Sequence, residues 1–514
     1  MCIVYKRFCL LTLIGLLTGM SAFAQVDAQV ETTATVGDGD HSPLWLNANK
    51  YGLSSVERNS AFLIGAVRRR MDADSARRWA WQGGLDMALA ANFTSTVVVH
   101  QAYGELRWLK GLLTVGSKEQ PMELKNQELS SGSQTFGINA RPVPSVRLSL
   151  PNYWEVPFAK GWLGVKGHIA YGMQTDDSWQ KDFTHKQSKY AEHTRLHTKA
   201  GYLHLGKADK PLTVEVGIEM ACQYGGTSYR PIIGGLQKFE NKGGMKGMWD
   251  ALIPSGGGEV SDINYHNSTG NHLGSYVARI NLDYEQWGVS VYADHFFEDQ
   301  SSMFFLDYDG YGTGERWNVK EDSRYFRYDL HDIMLGTELR LKDCSWLNAL
   351  VVEYLYTKYQ SGPIYHDHTQ SISDHIGGVD DYYNHGLLAG WQHWGQVMGN
   401  PLYRSPLYNT DATVNCDDNR FWAWHFGVSG SPCQGLHYRV LASLQKGWGT
   451  YMKPLVKPAQ NFSVMAEADY HFADNSTLKG WGVKGAIGMD RGELLGNNLG
   501  MQMTISKKLN LEKR

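Results

Sequence analysis

The strongest constraint in this chain is a two-residue alternation that recurs, in segments of about ten residues, from near Val26 to the C-terminal region. In LTVEVGIEM, Leu212, Val214, Val216, Ile218 and Met220 share one face, and Thr213, Glu215, Gly217 and Glu219 the other. VARINLDY sets Ala278, Ile280, Leu282 and Tyr284 against Val277, Arg279, Asn281 and Asp283, and DIMLGTELRL, LHYRVLASLQ, FSVMAEADYHF and LGMQMTIS repeat the pattern. Successive side chains of a strand point to opposite faces, so these segments read as strands with one apolar and one polar face. No helical period is comparable.

The connections alternate in length. Short links at Glu285-Gln286, Lys342 to Ser345, Gly430 to Gly435 and Ala473 to Thr477 alternate with long ones at Gly225 to Asn271, Glu298 to Arg324 and Ser361 to Asp417. Tight turns on one side and long loops on the other are the habit of bacterial outer-membrane barrels. The expected fold is all-β: a transmembrane antiparallel β-barrel of about 18 strands with long extracellular loops, the first strand near Val26 to Val36 and the last near Asn498 to Lys508. A soluble multi-sheet protein also alternates. What separates the two is the loop asymmetry and the mixed charge of the polar faces, with Glu215, Glu219, Arg279, Asp283, Asp332, Glu338, Arg340, Glu353, Arg439, Glu467 and Asp469 suited to an ion-paired lumen. Aromatic residues near strand ends, among them Tyr276, Tyr284, Trp287, Tyr354, Tyr356, Trp422, Trp424 and Phe462, suit interface girdles.

Residues 1–24, MCIVYKRFCLLTLIGLLTGMSAFA, combine Lys6 and Arg7, an apolar run and a small-residue end, as a cleaved secretory signal does, leaving 25–514 as one barrel domain. No later run reaches the ~18 apolar residues of a spanning helix. With 49 basic and 52 acidic side chains the net charge is -3, which argues against nucleic-acid binding. Cys222, Cys344, Cys416 and Cys433 match no zinc spacing. The strand walk puts Cys416 and Cys433 at opposite ends of one strand of roughly 10 residues, about 30 Å apart, so it permits only Cys222–Cys416 and Cys344–Cys433 as disulfides.

The segments HSPLWLNANKYGLSS, NHLGSYVARINLDYEQWGVSVYADHFFEDQSSMFF, EYLYTKYQSGPIYHDH, NHGLLAGWQHWGQVMGNPLYRSPLY and KGWGTY together resemble the capsule-assembly Wzi family of outer-membrane proteins, in the version typical of Bacteroides and its relatives. That resemblance implies an 18-stranded outer-membrane barrel without enzymatic activity or cofactor, which holds capsular polysaccharide at the cell surface like a lectin. Its partners would be that polysaccharide, outer-membrane lipid and the barrel-assembly machinery. Enterobacterial members carry helices that plug the periplasmic end, whereas here the residues after Gln25 read directly as a strand. The chain ends LNLEKR, without the terminal aromatic usual in such barrels.

The segment from Gly362 crowds His366, His368, His375, His385 and His393 among acids and aromatics, in what the strand walk makes the longest extracellular loop. Sugars call for flat aromatic faces and for groups that grip paired hydroxyls. Trp391, Trp394, Tyr365, Tyr382 and Tyr383 supply the first, and Asp367, Asp380, Asp381, Gln392 and His393 (with Asn384) the second. Two other readings stand beside polysaccharide contact: packing into a lid across the barrel mouth, and a metal site in which His366 and His368 lack an evident third ligand. His295 with Glu298 and Asp299, and Trp45, Asn47 and Asn49 alternating along an extended PLWLNANKYG, are weaker constellations. No G-x-S-x-G elbow or P-loop occurs, and no catalytic residue is assigned. An outer-membrane channel for small solutes or oligosaccharides is the alternative function, and an outer-membrane hydrolase a third.

Overall fold

In the computed structural model of the chain, the described residues are 26–71, 77–207, 209–253, 270–298, 302–304, 307–324, 330–362, 364–365, 368–373, 375–376 and 379–510. Eighteen strands form one antiparallel sheet in which every strand pairs with its neighbours in sequence. They are β1 (Val26–Asp38), β2 (Ser60–Arg69), β3 (Trp79–Ala91), β4 (Val97–Trp108), β5 (Gly111–Ser117), β6 (Ser145–Glu155), β7 (Leu163–Met173), β8 (Arg195–Leu205) and β9 (Leu212–Tyr224). The second half comprises β10 (Asn271–Asp283), β11 (Trp287–Glu298), β12 (Ile333–Leu341), β13 (Ala349–Tyr356), β14 (Phe421–Cys433), β15 (Leu436–Gly449), β16 (Pro454–His471), β17 (Trp481–Gly492) and β18 (Asn498–Asn510). The sheet closes on itself: β1 pairs with β18 from Asp27↔Asn510 to Asp38↔Leu499, and Thr33 and Thr504 share a buried hydroxyl hydrogen bond of 2.8 Å across that seam.

The wall is inside-out relative to a soluble sheet. Val291, Ile280, Leu444 and Ile487 are about half exposed on the outer face, while Glu219, Ser290, Asp294 and Glu353 are buried on the inner face. Tight connections such as 109–110, 284–286 and 434–435 lie at one rim, and 39–59, 118–144, 174–194, 225–270, 299–332 and 357–420 at the other. At the short-turn rim, Trp79 stacks on Trp108 at 5.9 Å and Tyr284 meets Trp287 at 4.8 Å, with Trp154, Trp162, Trp346 and Trp481 exposed alongside. Amphipathic rings of this kind sit at the level of lipid headgroups. No helix among the described residues is long and apolar enough to cross a membrane.

One expectation needs correction. PLWLNANKYG is not extended: Leu44–Asn47 form one helical turn, α1, with all four side chains buried. Its orphan Leu44 N–H is taken by the Asp490 carboxylate of β17 at 3.1–3.2 Å, and Asn47 Nδ2 donates back to the Ser42 and Pro43 carbonyls at 3.2 Å. Neither of the disulfides that the strand walk permits is formed. Cys344, Cys416 and Cys433 are thiols, and Cys222 Sγ lies 3.4 Å from His272 Nε2.

If the outer face meets lipid, a charge placed on it is penalised by depth. Val291→Arg, mid-strand on β11, is expected to cost about 2–4 kcal/mol and Trp287→Arg, at its short-turn end, about 0–1 kcal/mol. Urea unfolding of the barrel in phospholipid bilayers reads both; equal costs would contradict the assignment of this face.

Candidate functional site

Strand alternation points four carboxylates inward, Glu219 from β9, Asp294 from β11, Glu338 from β12 and Glu353 from β13, all buried. An unpaired carboxylate in such a place is costly. Their partners come largely from the 118–144 loop, which folds into the barrel. Glu353 accepts from Ser130 Oγ (2.6 Å), Ser131 N (2.8 Å) and Tyr292 OH (2.6 Å). Asp294 accepts from Lys125 Nζ at 2.6 Å and from Gln134 N at 3.1 Å, an ion pair with both side chains fully enclosed. Glu338 takes Asn126 Nδ2 (3.0 Å) and Arg279 Nη2 (2.6 Å), and Glu219 takes Tyr202 OH (2.8 Å) and Ser133 Oγ (3.4 Å). Thus four wall strands hold one loop across the lumen.

Two further loops join it. From 39–59, the Trp45 ring packs 4.7 Å from His425, whose Nε2 also meets the Leu129 carbonyl at 2.9 Å. From 357–420, Tyr383 OH donates to the Gln134 carbonyl, Trp391 Nε1 donates to Thr135 O at 3.0 Å, and Tyr403 OH donates to Gln134 Oε1 at 3.1 Å. Asn400 Nδ2 reaches Gly132 O at 2.8 Å, and Gly137 N donates to Met398 O at 3.0 Å. The three loops form a single plug with an apolar centre that includes Trp45, Leu129, Tyr382, Tyr383, Trp391 and Tyr403. It enters from the long-loop rim.

The plug fixes where the sequence-predicted site residues lie. Tyr382, Tyr383, Trp391, Gln392 and His393 are all buried, each at 2 % exposure or less, and present no face outside it. Tyr382 OH donates to Asp332 at 3.0 Å; Asp381 Oδ1 accepts from Asn384 (3.0 Å) and Asn419 (2.6 Å); Asp380 is buried. Tyr365 pairs through its backbone with His375, apart from this cluster. His366, Asp367 and Asp299 lie outside the described residues. Among the described residues, no three of His, Cys, Asp and Glu converge as a metal would require.

Trp394 is the exception. Gln392↔Val397 and His393↔Gln396 form a tiny hairpin whose two-residue turn is Trp394-Gly395, with φ of 54° and 76°. Such turns take Asn-Gly by preference, because a left-handed backbone costs a bulky residue roughly 1–2 kcal/mol. Asp176 offsets this by accepting the Trp394 N–H at 3.1 Å. The half-buried indole is gripped by Arg141, whose guanidinium lies 4.5 Å from the ring, and donates to Thr175 Oγ1 at 3.2 Å. Beside it, α2 (Asp177–Phe183) stacks Trp179 on Phe183 at 4.9 Å, and a side chain at Gly395 would strike the Trp179 ring. Trp394, Trp179 and Phe183 therefore form a half-buried aromatic ledge at the outer side of the plug, with the buried Arg141 against the Trp394 ring. Trp179 and Phe183 were missed in the sequence; their four-residue spacing within DSWQKDF was the available signal. Behind the ledge, a cavity of about 150 Å³ is lined by Phe136, Arg141, Arg147, His168, Thr198 and Trp391.

No protein-family model matches this chain, and no curated protein matches it by sequence. Among solved structures it is similar to Wzi of Escherichia coli, an outer-membrane protein involved in group 1 capsule assembly and a carbohydrate-binding β-barrel, at 12 % identity and a TM-score of 0.56 over 95 % of this chain and 85 % of that one. Pseudomonas aeruginosa OprD matches at 10 % identity and a TM-score of 0.44 over 94 % of each chain, and OccK2 of the same organism, solved with glucuronate, at 9 % and 0.45 over 95 % and 98 %. The likeness to Wzi is one of fold. This protein is an integral outer-membrane β-barrel. Its short-turn rim is then periplasmic and its long-loop rim extracellular.

Two outcomes test the plug. Asp294→Ala strands the enclosed Lys125 ammonium, a loss of about 3–5 kcal/mol for a broken buried pair, and is expected to expose 118–144 to protease in a barrel that still closes; unchanged resistance would contradict the lock. His393 Nδ1 donates to Arg141 O (2.9 Å) while Nε2 accepts from Thr175 N (3.2 Å), so burial holds its pKa below the ordinary histidine value of about 6.5. With a depressed folded pKa, its contribution is complete above about pH 6.5 and falls on acidification, because the opened loop takes up a proton that the closed one refuses. The amide protection factors of 390–398, corrected for the intrinsic fall of exchange with pH, should drop below that pH in the wild type, and His393→Gln should flatten the dependence.

Proposed function

We propose that this barrel binds polysaccharide on its extracellular side and attaches or organises the capsule there, without catalysis. The observation that carries the reading is the plug. A lumen filled by three of the barrel's own loops, pinned by enclosed carboxylates from four wall strands, offers the outside a rigid surface instead of a pore mouth. Rigid scaffolds bearing loop residues are where binding concentrates. The carboxylates that a hydrolase would need free are engaged by loop and wall donors. The solved barrel whose fold this chain shares, Wzi, binds carbohydrate and takes part in capsule assembly. A channel would require the plug to leave.

In this reading Trp394 and Trp179 stack on sugar rings and the buried Arg141 holds the Trp394 ring in place, while Trp391, Tyr382, Tyr383, Gln392 and His393 position the loop that presents them. Asp380 and Asp381 brace that loop, and Tyr365 and Asp367 of the same loop contact the polymer directly. The leader at 1–24 directs export and the barrel-assembly machinery inserts the chain.

Aromatic contacts are worth on the order of 1 kcal/mol each beyond area burial, a severalfold change per site that a polymer held by many barrels multiplies. Trp394→Ala with Trp179→Ala is therefore expected to shed far more capsule into the medium than either change alone, with barrel abundance unaltered. Capsule staining of a deletion strain is the broader check. Normal attachment of capsule to cells lacking the protein would overturn the proposal.

A further inference from the structure

The outer face of the wall carries a second feature, at the extracellular ends of β13 to β17. Register aligns Tyr354, Trp424, Leu444 and Phe462 in one row across four strands, with Arg491 of β17 next in line. One outward position higher lie Tyr356, Trp422, Lys446 and Gln460. The inward neighbours Phe421, Ala423, His425, Ser443 and Gln445 are buried, so these rows face away from the lumen. Above them, Lys358, Arg420 and Trp448 continue the outer face: Trp448 N donates to Arg420 O at 2.8 Å, and Arg420 Nε to Lys358 O at 3.2 Å.

The cations are held in place by rings. Lys358 Nζ lies 4.3 Å and Lys446 Nζ 5.6 Å from the Trp448 ring centre, and the Arg420 guanidinium lies 3.5 Å from that of Tyr451. A ring orients a cation without neutralising it. Among the described residues no carboxylate forms an ion pair with Lys358, Arg420, Lys446 or Arg491, while Asp411 and Asp417 of the same rim are both taken by Lys453 at 2.7 Å. Cation–π pairs also occur at the periplasmic rim, as Arg69 over Trp81, Lys207 over Trp162 and Lys507 over Trp481, but there each cation stands over its own ring at a separate place on the wall.

We infer that this patch is a binding site for a phosphorylated glycolipid of the outer leaflet. The phosphate sits on Lys358, Arg420 and Lys446, and the acyl chains run down Tyr354, Trp424, Phe426 and Leu444. Two properties select that occupant. An aromatic row beneath a basic one reproduces the order of hydrocarbon and headgroup at a membrane interface, and three cations without counter-ions match a group carrying more than one negative charge. The site faces the membrane, so it is separate from the sugar-facing ledge and stands whether or not capsule is the barrel's ligand.

The test uses the full-length barrel in detergent, titrated with diphosphoryl lipid A and followed by native mass spectrometry. Wild type is expected to retain the lipid. Lys358→Gln, Arg420→Gln and Lys446→Gln together are expected to bind at least tenfold more weakly, and lipid A stripped of its phosphates to bind wild type as poorly as the triple variant binds the intact lipid. Inorganic phosphate at the same concentration should not displace the lipid. Equal retention by the triple variant, or indifference to removal of the phosphates, would overturn the site; displacement by phosphate alone would overturn its assignment to lipid. Unchanged heat-modifiable mobility certifies the variant's fold. Should the triple variant not assemble, Lys446→Gln alone is expected to lose severalfold, and no loss would likewise overturn the site.

Discussion

Backbone hydrogen bonding in hydrocarbon governs this structure. A peptide group facing lipid has no water to turn to, so a sheet that crosses the membrane must pair every strand on both edges. The chain meets that demand by returning its last strand to its first, twelve residue pairs deep from Asp27↔Asn510 to Asp38↔Leu499. Once the sheet is closed, each strand has one face for lipid and one for a lumen, and the alternation of LTVEVGIEM or DIMLGTELRL follows as a consequence of the solvent on either side.

The lumen face then sets its own problem. Carboxylates such as Asp294 and Glu353 are affordable in an enclosed space only with donors in reach. A water-filled pore would supply water; here the 118–144 loop supplies Lys125, Asn126, Ser130, Ser131 and Gln134. The plug in turn carries the 390s hairpin, with Trp391 facing in and Trp394 facing out. The position of the ledge thus traces back, through the plug and the lumen charges, to closure of the wall.

The strands were legible in the sequence because the membrane imposes a period on each of them. The walk from the C-terminus places the first strand at Val26 and the last at Asn498, as found, and each proves two residues longer at its far end. The inward folding of the loops was not legible. Lys125 and Asp294 are far apart in the chain, and a polar loop has the same composition whether it meets water or a polar lumen. Trp391 and Trp394 show the limit at finer scale: three residues apart in one aromatic segment, they are sent to opposite sides by left-handed turn residues at Gly390, Trp394 and Gly395, which periodicity cannot read. The same blindness made PLWLNANKYG read as extended, since the Asp490 carboxylate that caps its helical turn arrives from the far end of the sequence.

The loops close the barrel and hold it closed. The most direct measurement is single-channel recording of the purified wild-type protein in planar bilayers, with insertion verified independently. A barrel closed in this way gives a silent membrane, with no steady open level across the voltage range in which porins conduct. Stable, long-lived conductance steps from the intact protein would contradict it and return the lumen to the role of a pore.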